Sequence, residues 1–280
     1  MPRPSRTLAL WGASHPGPSL VVTALAVALG LAAGLAPWRV IVLGVAVLAG
    51  QLSVGISNDA IDAVRDRAVG RTDKPIARGD VSVPTAWIAA SALVVAALAL
   101  SFALSPAMAL AHAAALASAW AYNAGLKNTP LSIAPFLVSF GLFPSLATLS
   151  AAEPDLAAPW ASVAGAALGA AVHLTNVLPD LDDDARTGVR GLPHRLGVRT
   201  SVVLAVAGVL VGAVAVLVGP VLLDGADITV LSWLFFAVAV LVAAATLYLA
   251  VGRPPARVLF RLTMLAALVL AAQLVATSGA

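Results

Sequence analysis

Nine apolar runs, each about the length of a membrane crossing, divide this chain. A transmembrane helix takes roughly 20 consecutive apolar residues. The runs lie near 18–36, 39–57, 84–104, 106–124, 131–150, 159–178, 201–222, 228–250 and 257–277. Pro37, Ser105-Pro106, Pro130, Glu153-Pro154 and Pro254-Pro255 fall between them, as turn chemistry requires. With 61% hydrophobic and 10% charged residues, the chain is far from the roughly 25% charge of a soluble domain. The short alternating segments of a β-barrel are absent. The expected fold class is all-α: a polytopic membrane helical bundle of about nine transmembrane helices, with residues 1–280 as one domain. There is no cysteine, so disulfides, thiolate nucleophiles and Cys-based metal sites are excluded.

Charge gives the orientation. With nine spans, all of the 16 Lys and Arg residues except Arg39 fall on one side. Positive charge marks the cytoplasmic side. The N-terminus is therefore expected inside, in a multi-pass protein of the cell membrane with the bilayer as its surroundings. Arg3 and Arg6 precede no cleavage-type pattern, so this stretch reads as a short cytoplasmic tail. The pI near 9.9 follows from these loop residues and does not imply nucleic acid. The acidic residues sort differently. Asp59, Asp62, Asp66, Asp73 and Asp80 follow the second run, and Asp180, Asp182, Asp183 and Asp184 end the sixth. Carboxylates contribute little to topology, so these clusters need a chemical explanation.

Both clusters read Asn-x3-Asp-x3-Asp-x3-Gly-x4-Pro-x3-Gly. The first copy is Asn58, Asp62, Asp66, Gly70, Pro75, Gly79; the second is Asn176, Asp180, Asp184, Gly188, Pro193, Gly197. Each position recurs 118 residues later (176 − 58). The pattern reads as two halves of one site supplied by an internal duplication. A spacing of four aligns side chains on one helical face. Like charges so placed destabilise a bare helix by a few tenths of a kcal/mol, so each stripe calls for a cation. Pro179 implies a loosened turn before the second stripe. Hard oxygen ligands favour Mg²⁺, which takes one or two carboxylates and completes its shell with water and phosphate. Arg71, Lys74, Arg78, Lys127, Arg186 and Arg190 suit a diphosphate. Solvated helix ends with Asp–Arg pairs would explain one cluster. Two in the same register favour a metal–diphosphate clamp at the cytoplasmic mouth of the bundle.

At these residues the chain resembles the intramembrane prenyltransferases of the UbiA superfamily. Asn58-Asp59-x-x-Asp62-x-x-x-Asp66 is similar to the family's first aspartate motif, and Asp180-x-x-x-Asp184-x-x-x-Gly188 to the second. Lys74-Pro75-Ile76-Ala77-Arg78-Gly79 resembles the stretch after the first motif, with Lys74 where Arg is usual. Tyr122 and Lys127 resemble an element after the fourth helix. The resemblance covers roughly residues 15–200, and the last two spans agree by hydropathy alone. It implies Mg²⁺-dependent transfer of a prenyl group from an allylic prenyl diphosphate to an acceptor, aromatic or lipid, whose identity stays open. The alternative is a UbiA-type terpene cyclase, in which the substrate's own double bond captures the cation. By this resemblance Asp59, Asp62, Asp66, Asp180, Asp183 and Asp184 are the metal-site residues. Lys127, Arg78, Tyr122 and His173 are the catalytic candidates, and Asn58, Arg71, Lys74 and Asn176 the substrate-binding ones. A transporter also carries duplicated helices, but its polar groups lie at the midplane rather than at one surface.

Other polar residues lie within the apolar runs. His112 and His173 read first as packed, hydrogen-bonded side chains, with an acceptor-positioning or proton-accepting role for His173 beside that. Gln51 and Ser53 approach Asn58 and line either an acceptor pocket or a helix contact. Phe136, Phe140 and Phe143 wall a prenyl pocket or simply pack. Gly165 and Gly169 allow close helix contact. One departure concerns the acceptor. Family members that prenylate aromatic carboxylic acids tend to carry Arg-Pro near the first span, whereas this chain has His15-Pro16. A neutral His clamps a carboxylate less firmly than Arg does.

Overall fold

The computed structural model describes residues 5–181, 184, 188–250 and 257–277, and all secondary structure among them is helical. The helices are α1 (Arg6–Ala13), α2 (Pro16–Ala32), α3 (Pro37–Ala68), α4 (Pro75–Arg78), α5 (Val83–Leu104) and α6 (Pro106–Ala124). They continue with α7 (Ala134–Thr148), α8 (Pro159–Val177), α9 (Leu192–Asp224), α10 (Val230–Ala250) and α11 (Arg257–Thr277). Proline opens most of them, at a position whose N–H has no intrahelical partner. Ser82 and Ser105 cap α5 and α6 by accepting from Thr85 and Met108 N–H.

The long helices form a ring. Each packs on its neighbour in chain order, and α11 returns against α2 to close it. The central cluster takes Val22, Leu43, Met108, Leu146, Val172 and Met264 from six helices. Among the described residues, nine long helices follow the nine apolar runs. Seven of the described segments are long and apolar enough to cross a membrane, or eight if the bent pair α1–α2 counts as one span. α6 falls short: the His112, Trp120, Tyr122 and Asn123 side chains hold its hydropathy down.

Two boundaries correct the sequence reading and one agrees with it. The N-terminal tail is partly helix: Ser5 caps α1, and Ala9 and Ala13 bury against Ile56, Ala60, Ala63 and Ile76. α3 continues past the apolar run through the first motif, as the four-residue spacing implies, about 48 Å at 1.5 Å per residue for its 32 residues. α9 begins at Leu192 and is kinked at Gly197 (φ 75°). The kink exposes a symmetry between the halves. Gly70 and Gly188 have φ of 72° and 82°, and Gly79 and Gly197 have 82° and 75°. No atom crowds any of them, so left-handed backbone rather than lack of space requires glycine at all four. The matching prolines also open helices, Pro75 in α4 and Pro193 in α9. Thus the repeated letters carry a repeated backbone path.

At the far end, Arg39 donates to the carbonyls of Ser150 (2.8 Å), Ala151 (3.2 Å) and Leu104 (3.4 Å), and lies over Trp38. It ties down the C-terminal ends of α5 and α7, where unpaired carbonyls favour a cation.

α7 and α8 touch backbone to backbone at Gly165 and Gly169, as the small-residue spacing suggested. A Cβ on Gly169 would stand 2.6 Å from Phe140 Cβ and 2.7 Å from the Phe136 carbonyl. Gly169→Val is expected to cost about 1–3 kcal/mol by overpacking, read as a lower unfolding temperature in detergent. An unchanged midpoint would contradict the close approach.

Candidate functional site

The polar stripe of α3 is buried, not solvated: Asp59 is 2%, Asp62 7% and Asp66 1% exposed. Buried charges require partners, and here the partners are basic side chains from four segments. Lys127, on the 3-10 turn Leu126–Asn128 after α6, donates to both oxygens of Asp62 at 2.7 and 2.6 Å. Arg65, one turn along α3, donates to Asp62 Oδ2 at 2.9 Å and lies 3.6 Å from Asp66. Lys74, the N-cap of α4, bridges Asp59 Oδ1 and Asp66 Oδ2, each at 3.0 Å. His15 Nε2 lies 2.9 Å from the same Asp59 Oδ1.

The two lysines differ electrostatically. Burial alone would lower Lys74, but Asp59 and Asp66 outweigh it and hold its pKa above the ordinary lysine value. For Lys127 burial prevails: the single carboxylate of Asp62 offsets it only partly, and Arg65 and Lys74 add repulsion, so its pKa is lowered.

The second motif faces the first. α8 ends at Val177 and a 3-10 turn, Leu178–Asp180, follows, which is the loosened turn Pro179 implied. Burial raises Asp184 to about 6; the charges of Asp180 and Asp62 add to the rise, while Arg65 and Lys127 oppose it. Asp184 therefore lies within electrostatic reach of the Asp62–Lys127–Arg65 group. Its carboxylate is 3.7 Å from His194 Nε2 of α9. Arg71 is held by both oxygens of Asp73 at 2.9 Å and feels the charges of Asp180 and Asp66, so it too sits between the motifs. That pairing lowers Asp73 to about 2.

Several sequence candidates are placed differently. Arg78 is engaged in its own loop, donating to Asp80 at 2.7 and 2.9 Å and to the Thr72 carbonyl at 2.6 Å. Asn58 does not point at the carboxylates but donates to Asn123 Oδ1 at 3.0 Å. Asn123 in turn donates to the Val54 carbonyl and Ser57, tying α6 to α3. His173 is buried, with Nε2 3.0 Å from Ser132 Oγ and Nδ1 without a hydrogen-bond partner. Asn176 is exposed. Asp182, Asp183 and Arg186 lie outside the described residues. Tyr122 is no lipid-facing anchor: its ring meets Phe136 (5.2 Å) and His173 (5.7 Å) edge-on, and it feels the charges of Asp184 and Asp62.

Sequence reasoning missed three participants. Arg65 was legible as the i+3 partner of Asp62. Asn123 offered only its place beside Tyr122. His15 was read as an acceptor determinant, not as a partner of Asp59. It is the only non-glycine with positive φ among the described residues (φ 53°), at the α1–α2 break where the Ser14 carbonyl presses on Gly55. Such backbone costs about 1–3 kcal/mol and persists only where surroundings fix it.

Below the charged groups lie two cavities separated by Phe140 and Phe143. The larger is lined by apolar side chains, Leu25, Trp160, Leu168, Met264 and Leu270 among them. The smaller carries Gln51, His112 and Ser139.

Comparison with known proteins agrees with this layout. The sequence profile of the UbiA prenyltransferase family matches residues 19–275. The chain belongs to that family. No curated protein matches it by sequence. Among solved structures it is similar to the apo UbiA homologue of Aeropyrum pernix K1, with a TM-score of 0.75 at 20% identity over 92% of this chain and 97% of that one. A UbiA homologue from Archaeoglobus fulgidus, bound to GPP and Mg²⁺, gives 0.75 at 14% identity over 97% and 100%. A digeranylgeranylglyceryl phosphate synthase gives 0.72 at 13% over 97% and 98%. At these identities the likeness is one of fold. This UbiA-family chain thus keeps the family's helical bundle while most of its side chains differ.

Fit to Mg²⁺ rests on the donor set. Among the described residues no three acids or histidines converge as a ready-made cation cage. The carboxylates hold lysine and arginine instead. Yet the donors are all hard oxygens, and the buried Asp59 and Asp66 carboxylates share a single ammonium, that of Lys74. That set suits an ion that takes one or two carboxylates and shares the rest of its shell with phosphate.

Proposed function

We propose that this protein transfers a prenyl group from an allylic prenyl diphosphate to an acceptor within the membrane, using Mg²⁺. The observation that carries the reading is the facing of Asp62, with Lys127, Lys74 and Arg65 about it, toward Asp184 above an apolar cavity. Family membership and the GPP- and Mg²⁺-bound homologue support it. Asp62, Asp66, Asp180 and Asp184 would hold Mg²⁺, with Asp59 held back by His15 and Lys74. Bound Mg²⁺ would supply charge neutralisation for the diphosphate as it leaves.

The rest falls to the chain's own side chains. Lys127 and Lys74 turn from their carboxylates to the diphosphate oxygens, where ammonium groups stabilise the charge developing as the C–O bond breaks. Arg71, between the motifs, serves the same leaving group. The faces of Tyr122 and Phe136 border the allylic cation, which aromatic rings stabilise. The apolar cavity receives the prenyl chain and keeps water from the cation. The acceptor then captures the cation and loses a proton. Arg78, tied to Asp80, keeps the 70–80 loop in shape rather than meeting substrate first. The polar groups of the smaller cavity favour an acceptor over self-capture, and so transfer over cyclisation.

The test uses purified protein, Mg²⁺ and a panel of allylic diphosphates, extracted and read by mass spectrometry with and without membrane lipid extract. Prenylated products that require the extract are expected. A cyclised hydrocarbon formed without extract would replace transfer by cyclisation, and no turnover of any diphosphate would overturn the reading.

A further inference from the structure

His112 is 3% exposed and lines the smaller cavity. Its Nδ1 lies 2.8 Å from Ser101 Oγ. Ser101 has one hydroxyl proton, and it goes to the Ala97 carbonyl at 2.7 Å. The His112 bond must therefore run from Nδ1–H to Ser101 Oγ. A neutral imidazole protonated at Nδ1 carries its lone pair on Nε2. Nε2 lies beside Gly50, where a Cβ would stand only 2.8 Å away. Among the described residues no group hydrogen-bonds it.

Two more groups share the cavity. Ser139 spends its proton on the Ala115 carbonyl at 3.0 Å, which leaves it lone pairs alone. Gln51, two turns before Asn58 on α3, adds a carboxamide. No Lys, Arg, Asp or Glu lines the space. The cavity therefore offers acceptors and the Gln51 amide to a neutral ligand, and no charge to balance a carboxylate. Its upper end is set by Val54 and Ala119. The Val54 carbonyl accepts from Asn123, which accepts from Asn58, so that end lies directly beneath the first motif. From Ala119 down to His112 is about 10 Å along α6.

We propose that this cavity is the second-substrate pocket, taking an uncharged, largely apolar molecule through a hydroxyl or N–H donated to His112 Nε2. It rests on the prenyl-transfer reading, in which that molecule is the acceptor. Anchored at its lower end, the acceptor presents its other end at the mouth, where the allylic carbon would lie. A hydroxyl can come from an aromatic ring or from a prenyl alcohol, and the probes separate the two.

The experiment measures binding of 4-hexylphenol and geraniol, each against its methyl ether, to the full protein in nanodiscs by ligand-induced thermal shift. An acceptor without a protein partner makes the hydroxyl forms about tenfold tighter than the ethers. The preference is expected to vanish in His112→Phe and to weaken in Gln51→Leu, which guards against a folding failure of the first. Preference for the phenol assigns an aromatic acceptor, and for geraniol a prenyl alcohol. Equal binding of alcohols and ethers, or a preference retained in folded His112→Phe, overturns the proposal. Geranyl thiodiphosphate with Mg²⁺ is titrated in parallel. Its failure to bind wild type would count against prenyl transfer itself, whatever the alcohols do.

Discussion

Asp62→Asn abolishes prenyl transfer, lowering turnover by about a thousandfold or more, as loss of a charge aligned with the reacting centre does. The substitution keeps the side chain's shape and removes only its charge. It also strands Lys127, whose buried ammonium has Asp62 as its partner. Breaking such a pair costs about 3–5 kcal/mol, so a drop in stability accompanies the loss. The double variant Asp62→Asn/Lys127→Met separates the two effects. It removes both charges, recovers most of the stability and stays inactive. If the double variant recovered activity, Asp62 would be a structural anchor for Lys127 and nothing more. Activity and unfolding midpoints of wild type and the two variants decide the matter.

Lys127→Met moves two affinities in opposite directions. In the free protein the ammonium occupies both oxygens of Asp62, which a divalent cation would need. Removing it is expected to tighten Mn²⁺ binding without diphosphate about tenfold, as read by electron paramagnetic resonance. The same change removes a charge-assisted partner of the diphosphate and weakens its binding by about a hundredfold. A general loss of structure would weaken both. Weaker or unchanged Mn²⁺ binding in a Lys127→Met protein that keeps its unfolding midpoint would remove Lys127 from the exchange between carboxylate and phosphate.

The bundle was legible because lipid leaves few choices: apolar runs of one length must be helices, and the prolines between them mark the turns. The motifs were legible because six positions recur in register, and the recurrence proved to be conformational at Gly70, Gly188, Gly79 and Gly197. What stayed hidden depended on distant pairing. Spacing puts Asp59, Asp62 and Asp66 near one face, but it does not say that His15, Lys74 and Lys127 reach them from three separate segments. Asn58 opens the motif, and spacing does not say that its amide also donates to Asn123 on α6. Arg78 looked like a diphosphate contact, but Asp80 two residues away takes its guanidinium first. α1 was missed because eight residues with two buried alanines make too weak a pattern. Its stability comes from docking on Ile56 and Ile76.

The central claim is that the two carboxylate motifs hold one Mg²⁺–diphosphate between them. Equilibrium binding of geranyl thiodiphosphate, an analogue that resists ionisation, tests it most directly in wild type, Asp62→Asn and Asp184→Asn, with and without Mg²⁺. Mg²⁺-dependent binding is expected in wild type and its loss in both variants, each motif being necessary. Binding that is independent of Mg²⁺, or that survives unchanged in either variant, would contradict it.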